Sequence, residues 1–279
     1  MNHKHLFLIV LAFAFLAGCQ TQNQALVNQN MPVNSDNQNN QPAPVETSTV
    51  SLVNNSVNTN QAVTSTVPVN KPTSTPSQTT TAKFLDYPVA FATQAPYSNW
   101  DALHEEACEE ASMTMAEKYV KNEPLTAHIM EQSILNVIKW EGENGYKVDL
   151  SAQEAVDILA KYFNVKSQLD NTVTTAEIKK QLQAGNIIII PAAGRHLGNP
   201  NFKAPGPLYH MLVVRGYDDN RGEFITNDPG TRKGEGYRYK YQVLIDAIHN
   251  WDHLWDQNGA TVTDSQMVQG KKVMIIINK

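Results

Sequence analysis

The sequence predicts an α+β fold for residues 84–279. Helical signals crowd the first half of this segment and strand signals the second, and such segregated runs pack helices onto an antiparallel sheet. The limits of the segment come from composition. Every Trp and Tyr of the 279-residue chain, and every Gly except Gly18, lies beyond Phe84. So do 25 of the 27 acidic side chains, against 19 basic ones. About 196 residues suffice for one compact core.

The helices come first. Leu103, Ala107, Ala111, Met115 and Tyr119 recur at steps of four, which predicts one helix over 101–121. Residues 125–140 form the next, with Pro124 at the start and Gly142 past the end. Ser151 and Glu154 have capping-box spacing and open a third helix, reaching about Phe163. Thr174 and Glu177 open a fourth, ending near Gly185. Strands follow. Residues 186–191 hold four consecutive isoleucines, the pattern of a strand buried on both faces. Residues 209–217 (YHMLVVRGY) and 223–227 (EFITN) flank a turn-rich DDNRG loop and read as a hairpin. Residues 243–251 look helical, and 272–277 (KVMIII) close the sheet.

The first 83 residues are two different pieces. Residues 1–18 read as an export signal: Lys4, an eleven-residue apolar run from Leu6 to Leu16, then small residues. The run is short of the roughly 20 residues of a spanning helix. Leu16 to Cys19 (LAGC) resembles the lipobox of bacterial lipoproteins. The resemblance implies cleavage before Cys19 and lipidation of that cysteine. The mature chain would then sit outside the cytoplasm, anchored to the membrane by lipid and not spanning it. Gln20 follows, not the Asp of lipoproteins retained in the inner membrane. Residues 19–83 read as a stalk. From Gln20 to Lys83 there are 12 Asn, 8 Gln, 11 Thr and 7 Ser, with no aromatic residue. Such a segment buries too little apolar surface to order itself, and its coil reach is roughly 45 Å.

Composition excludes several function classes. The net charge of −5 argues against a nucleic-acid partner. Two cysteines make neither a disulfide scaffold nor a four-cysteine zinc site. His249 and His253 stand four apart but lack the glutamate of a zinc-peptidase helix, and residues 218–222 lack the distal Glu of a calcium loop. No metal and no cofactor is expected.

Cys108 is the one cysteine of the mature chain besides Cys19. It is a buried small hydrophobe, a partner in an intermolecular disulfide, or a reactive thiol. A nucleophilic thiol needs an imidazole, an orienter for the imidazole and an oxyanion donor. The sequence offers Gln94 before the first helix, His210 opening the first hairpin strand, and Asp228 just past the second. An antiparallel hairpin brings His210 and Asp228 to the same end. His104, four residues before Cys108, is an alternative base; His196 sits in a glycine- and proline-rich loop, 194–207, expected to border the cleft.

The order glutamine, cysteine on a helix, histidine on a strand, aspartate after the next strand resembles the papain-like cysteine peptidases. It is most similar to the branch containing the bacteriocin-processing, double-glycine-leader peptidases. The matching runs are 92–96 (ATQAP), 107–112 (ACEEAS), 210–217 (HMLVVRGY) and 227–230 (NDPG). The resemblance implies a papain-like fold with Cys108 as nucleophile, His210 as general base and then acid, Asp228 as its orienter and Gln94 as oxyanion donor. Two features depart from the pattern. Gln94 precedes Cys108 by 14 positions, and Glu109 and Glu110 follow the cysteine. Carboxylates there oppose thiolate formation, although a helix N-terminus offsets them. The implied function is a tethered thiol hydrolase acting on a peptide or protein substrate in the cell envelope. A binding module on an inactive papain-like scaffold and a Cys-His-Asp acyl transferase are the alternatives.

Overall fold

The computed structural model describes residues 82–279. The expected signal, the expected lipidation site Cys19 and all but the end of the expected stalk lie outside the described residues. The elements in order are β1 (Phe84–Asp86), α1 (Ala102–Glu105), α2 (Cys108–Lys121), α3 (Ala127–Glu143), α4 (Ala152–Lys161), β2 (Ser167–Asp170), α5 (Thr175–Gln183), β3 (Ile187–Ala193), β4 (Tyr209–Asp218), β5 (Glu223–Asn227), β6 (Tyr237–Lys240), α6 (Tyr241–Ala247), α7 (Asp264–Met267) and β7 (Met274–Ile277). The fold is α+β, with the helix carrying Cys108 ahead of an antiparallel sheet carrying His210. Among the described residues no helix is long and apolar enough to cross a membrane.

The sheet runs β2-β7-β3-β4-β5-β6, with β1 also paired to β4 and every pairing antiparallel. Both faces are covered. Ile187 and Ile189 pack into the core shared with α2, α3 and α4, while Ile188 and Ile190 pack into the core shared with α5 and α6. That is why the isoleucines are consecutive and do not alternate with polar residues. Central strand β4 changes partners along its length: β3 pairs with 209–214, and β1 with 216–218. A bulge between Val214 and Gly216 marks the change on the β5 side. Gly216 is required there, because a Cβ would lie 2.2 Å from the Leu85 carbonyl oxygen.

Two predicted helices differ from those observed. The span 101–121 is broken at Glu106 and Ala107, giving a short α1 capped by Asp101 and a separate α2. The four-residue spacing continues through the break, so periodicity alone does not show it. The break puts Cys108 at the first position of a 14-residue helix. The helix over 243–251 ends at Ala247, because Ile248 turns extended and bridges to Ala192 of β3. Gly142 lies inside α3; the chain turns instead at Gly145, where φ is +80°. The Ser151–Glu154 capping box forms as its spacing predicts.

Candidate active site

Met211 fixes the position of the thiol. Strand β5 ends at Asn227, and the backbone groups of Met211 bond to side chains of α2. Its N–H donates to Cys108 Sγ at 3.3 Å, and its carbonyl accepts from Ser112 Oγ at 3.1 Å. Helix α2 thus occupies the place of a missing strand, one residue from His210.

His210 and Asp228 meet in a buried pair, 1% and 0% exposed, with Nε2 2.8 Å from Oδ1. Asp228 is held from every side. Gly230 N–H donates to Oδ1, while the Tyr239 hydroxyl (2.6 Å) and Asn199 Nδ2 (3.2 Å) donate to Oδ2. Burial alone would raise its pKa; the His210 imidazole, Tyr239 and Gly230 outweigh burial and hold it below the usual carboxylate range. An imidazole whose Nε2–H is spent on a carboxylate presents Nδ1 as its acceptor. Phe202 stands edge-on to the ring at 5.4 Å, and a Cβ on Gly230 would lie 2.9 Å from its Cε1. The ring is therefore confined on both sides.

A cleft of about 1100 Å³ opens above this pair. His210, Tyr209, Gln94, Glu106, Asp149, Trp251 and the 200–207 loop line it, but the Cys108 side chain does not. The loop is the one expected to border the cleft.

The thiol faces elsewhere. Cys108 Sγ donates to Glu109 Oε2 at 2.8 Å, and no hydrogen bond joins it to His210 among the described residues. Burial, then the Glu109 charge and hydrogen bond, push the thiol pKa well up. Behind it lie more carboxyls. Burial, then the Glu110 charge, raises Glu109; burial lifts Glu110 to about 7, and burial with the Glu110 charge lifts Glu141 to about 10. The thiol thus faces a group of buried acids and not the imidazole. Among the described residues no cluster of His, Cys, Asp and Glu is arranged to hold a metal ion.

Gln94 lines the cleft, but both hydrogens of its amide are engaged. Nε2 donates to the His104 carbonyl (2.9 Å) and the Glu105 carbonyl (3.0 Å), bracing the turn before Cys108. Its backbone N–H reaches Pro229, tying that turn to the Asp228 loop. His104 is buried with its ring nitrogens on Asp101 (2.8 Å) and Glu131 (3.2 Å). The break between α1 and α2 separates it from Cys108. His196 bonds Asp264 at the surface, His249 the Gly270 carbonyl, and His253 both Glu154 and Asp256.

A protein-family model described as "Peptidase_C39 like family" matches residues 84–261. The chain belongs to this family. Among solved structures, the C39-like chain resembles a putative C39-like peptidase from Bacillus anthracis at 15% identity. The match covers 71% of this chain and 98% of the other, with a TM-score of 0.46. No curated protein matches.

Asn199, Tyr239 and Phe202 belong to this C39-like site but carry no signal of their own in the sequence. Asn199 and Phe202 lie in the 194–207 loop that glycine and proline content pointed to. Tyr239 sits on the four-residue β6, too short for a strand pattern.

Proposed function

We propose that the protein is a membrane-tethered thiol hydrolase that cleaves a peptide or related amide bond through an acyl-enzyme on Cys108. The buried His210–Asp228 pair at the cleft floor, one residue from the strand position that bonds the thiol, carries this reading. In this mechanism Cys108 rotates about Cα–Cβ from Glu109 toward His210. Nδ1 takes the thiol proton and Sγ attacks the substrate carbonyl carbon, sending the π pair to oxygen. Collapse breaks the C–N bond, and the imidazolium gives its proton to the leaving amine. Water, deprotonated by the same Nδ1, then attacks the thioester carbon; the C–S bond breaks, the acid leaves, and the imidazolium returns its proton to Sγ. Asp228 keeps the proton on Nε2 throughout. Gln94 would serve the oxyanion by trading the two carbonyls its amide now holds.

One observation favours a second reading, a peptide-binding module without chemistry: the thiol rests on a carboxyl group and not on the imidazole. Labelling separates the two. An epoxysuccinyl electrophile near neutral pH, with the adduct mapped by mass, should modify wild-type Cys108 quickly and the His210→Ala variant slowly. Glu109→Gln removes the charge that raises the thiol pKa and leaves only a weaker, neutral acceptor for the S–H. It should therefore label roughly tenfold faster at pH 8 for each unit of pKa recovered. Equal, slow labelling of wild type and His210→Ala would leave the binding module standing.

The tether is part of the proposal. Cys19→Ser should accumulate as an unlipidated precursor, while Cys108→Ser stays anchored. Equal partition of the Cys19→Ser protein into the detergent phase after signal cleavage would refute lipid attachment at Cys19.

A further inference from the structure

The cleft lining carries charges of both signs: Arg232 and Lys233, and the carboxyl groups of Glu106, Asp149 and Asp256. Nearby Glu105 is paired with Lys203 at 3.1 Å, but among the described residues no ion pair forms with Glu106 or Asp149. Burial and then the Glu106 charge raise Asp149 to about 6, and burial also raises Glu106. Two carboxylates so placed repel one another, and the positive group acting on Asp149, His253, is already engaged by Glu154 and Asp256.

A separate feature points the same way. Gln94 is 3% exposed and lines the same cleft, next to the turn that carries Glu106. With Nε2 committed to backbone carbonyls, its Oε1 is left as a buried acceptor with no donor. Buried acceptors are ordinarily satisfied, so an unfilled one in a cleft wall calls for a donor from a ligand. One buried acceptor without a donor, beside two carboxylates that make no ion pair among the described residues, matches a group that is cationic and rich in N–H.

We propose that the wall formed by Gln94, Glu106 and Asp149 is a subsite for an ammonium group of the substrate. This rests on the hydrolase reading for its place beside the scissile bond, but not for the binding itself. Tyr209 and Trp251 pack on each other at 5.4 Å in the same lining, and their uncovered edges offer apolar surface for the methylene stem of a lysine-type side chain. The ammonium comes either from such a side chain or from a free amino terminus.

The test uses the full chain carrying Cys108→Ala, so that binding is read without turnover. Fluorescent hexapeptides carry one lysine walked through each position, with norleucine and Nε-acetyl-lysine controls, each with a free or acetylated amino terminus. Fluorescence anisotropy should show lysine bound roughly tenfold tighter than norleucine at one position. Preference for a free over an acetylated terminus, with no lysine effect, would support the subsite and assign the ammonium to the amino terminus. The preference should shrink in Asp149→Asn and in Glu106→Gln and vanish in the double variant, while Glu143→Gln, at the exposed end of α3, leaves it unchanged. Equal binding of charged and neutral peptides, no binding of any of them, or a preference that survives the double variant would overturn the proposal. Binding by Cys108→Ala with no hydrolysis by wild type would sink the hydrolase reading and leave the subsite intact.

Discussion

Cys108→Ala and His210→Ala should each abolish hydrolysis, with losses of at least about a thousandfold in kcat. The double variant should be no worse than either single one. A thiol without its base and a base without its thiol are equally idle, so the two deletions remove one function and do not add. Both side chains are buried, and folding must be checked beside activity. Thermal melts of Cys108→Ser, which keeps the size of the side chain, serve for this. Full additivity of the two losses in single-turnover assays would mean that the imidazole acts on something other than this thiol.

Asp228→Ala should cost the fold about 3–5 kcal/mol, as loss of one partner from a buried charged network does. Four donors lose their acceptor: His210 Nε2, the Gly230 N–H, the Tyr239 hydroxyl and Asn199 Nδ2. For a domain of this size the melting temperature should fall by roughly 10 °C. Asp228→Asn should fall less and keep some activity, since an amide oxygen still accepts from Nε2–H. Its NH2 then opposes the Asn199 donor, which accounts for the remaining loss. An unchanged melt for Asp228→Ala would refute the network.

The same melts followed against pH carry two limbs of opposite sign. Asp228 has a folded pKa below its unfolded value. Its stabilisation is complete above about pH 4 and is lost as pH falls through the folded pKa. Asp228→Ala should lack this acid limb. Glu110 is raised to about 7. Its contribution is complete below the unfolded value near about pH 4 and is lost as pH rises through the folded one. The wild-type protein should therefore be most stable in mild acid.

Much of this fold can be read from local patterns. The capping box at Ser151, the isoleucine run of β3 and the DDNRG turn each encode their geometry within a few residues. The hairpin, in turn, predicts that His210 and Asp228 end side by side. Other features depend on what lies across space. The break before Cys108 keeps the four-residue spacing, so it is invisible to periodicity; it is stabilised by Asp101 at the cap and by Gln94 from a distant turn. Strands β1, β2 and β6 have three or four residues, too few for alternation to show. Glu109 and Glu110 look in sequence like solvated helix-start acids. The docking of α2 on β4 buries them, and Glu141 joins them from α3. Glu106 and Asp149 line the same cleft although they stand 43 positions apart, with no motif to link them.

Cys108 and Met211 are 103 positions apart, and Ser112 and Met211 are 99 apart. Their contacts cannot close until synthesis has passed β4, and links of such separation form late in folding. Before that moment a growing chain carries the thiol helix without His210 and Asp228. In the proposed mechanism the thiol has no general base until the sheet is complete. The order of the elements along the chain would then withhold reactivity during biosynthesis.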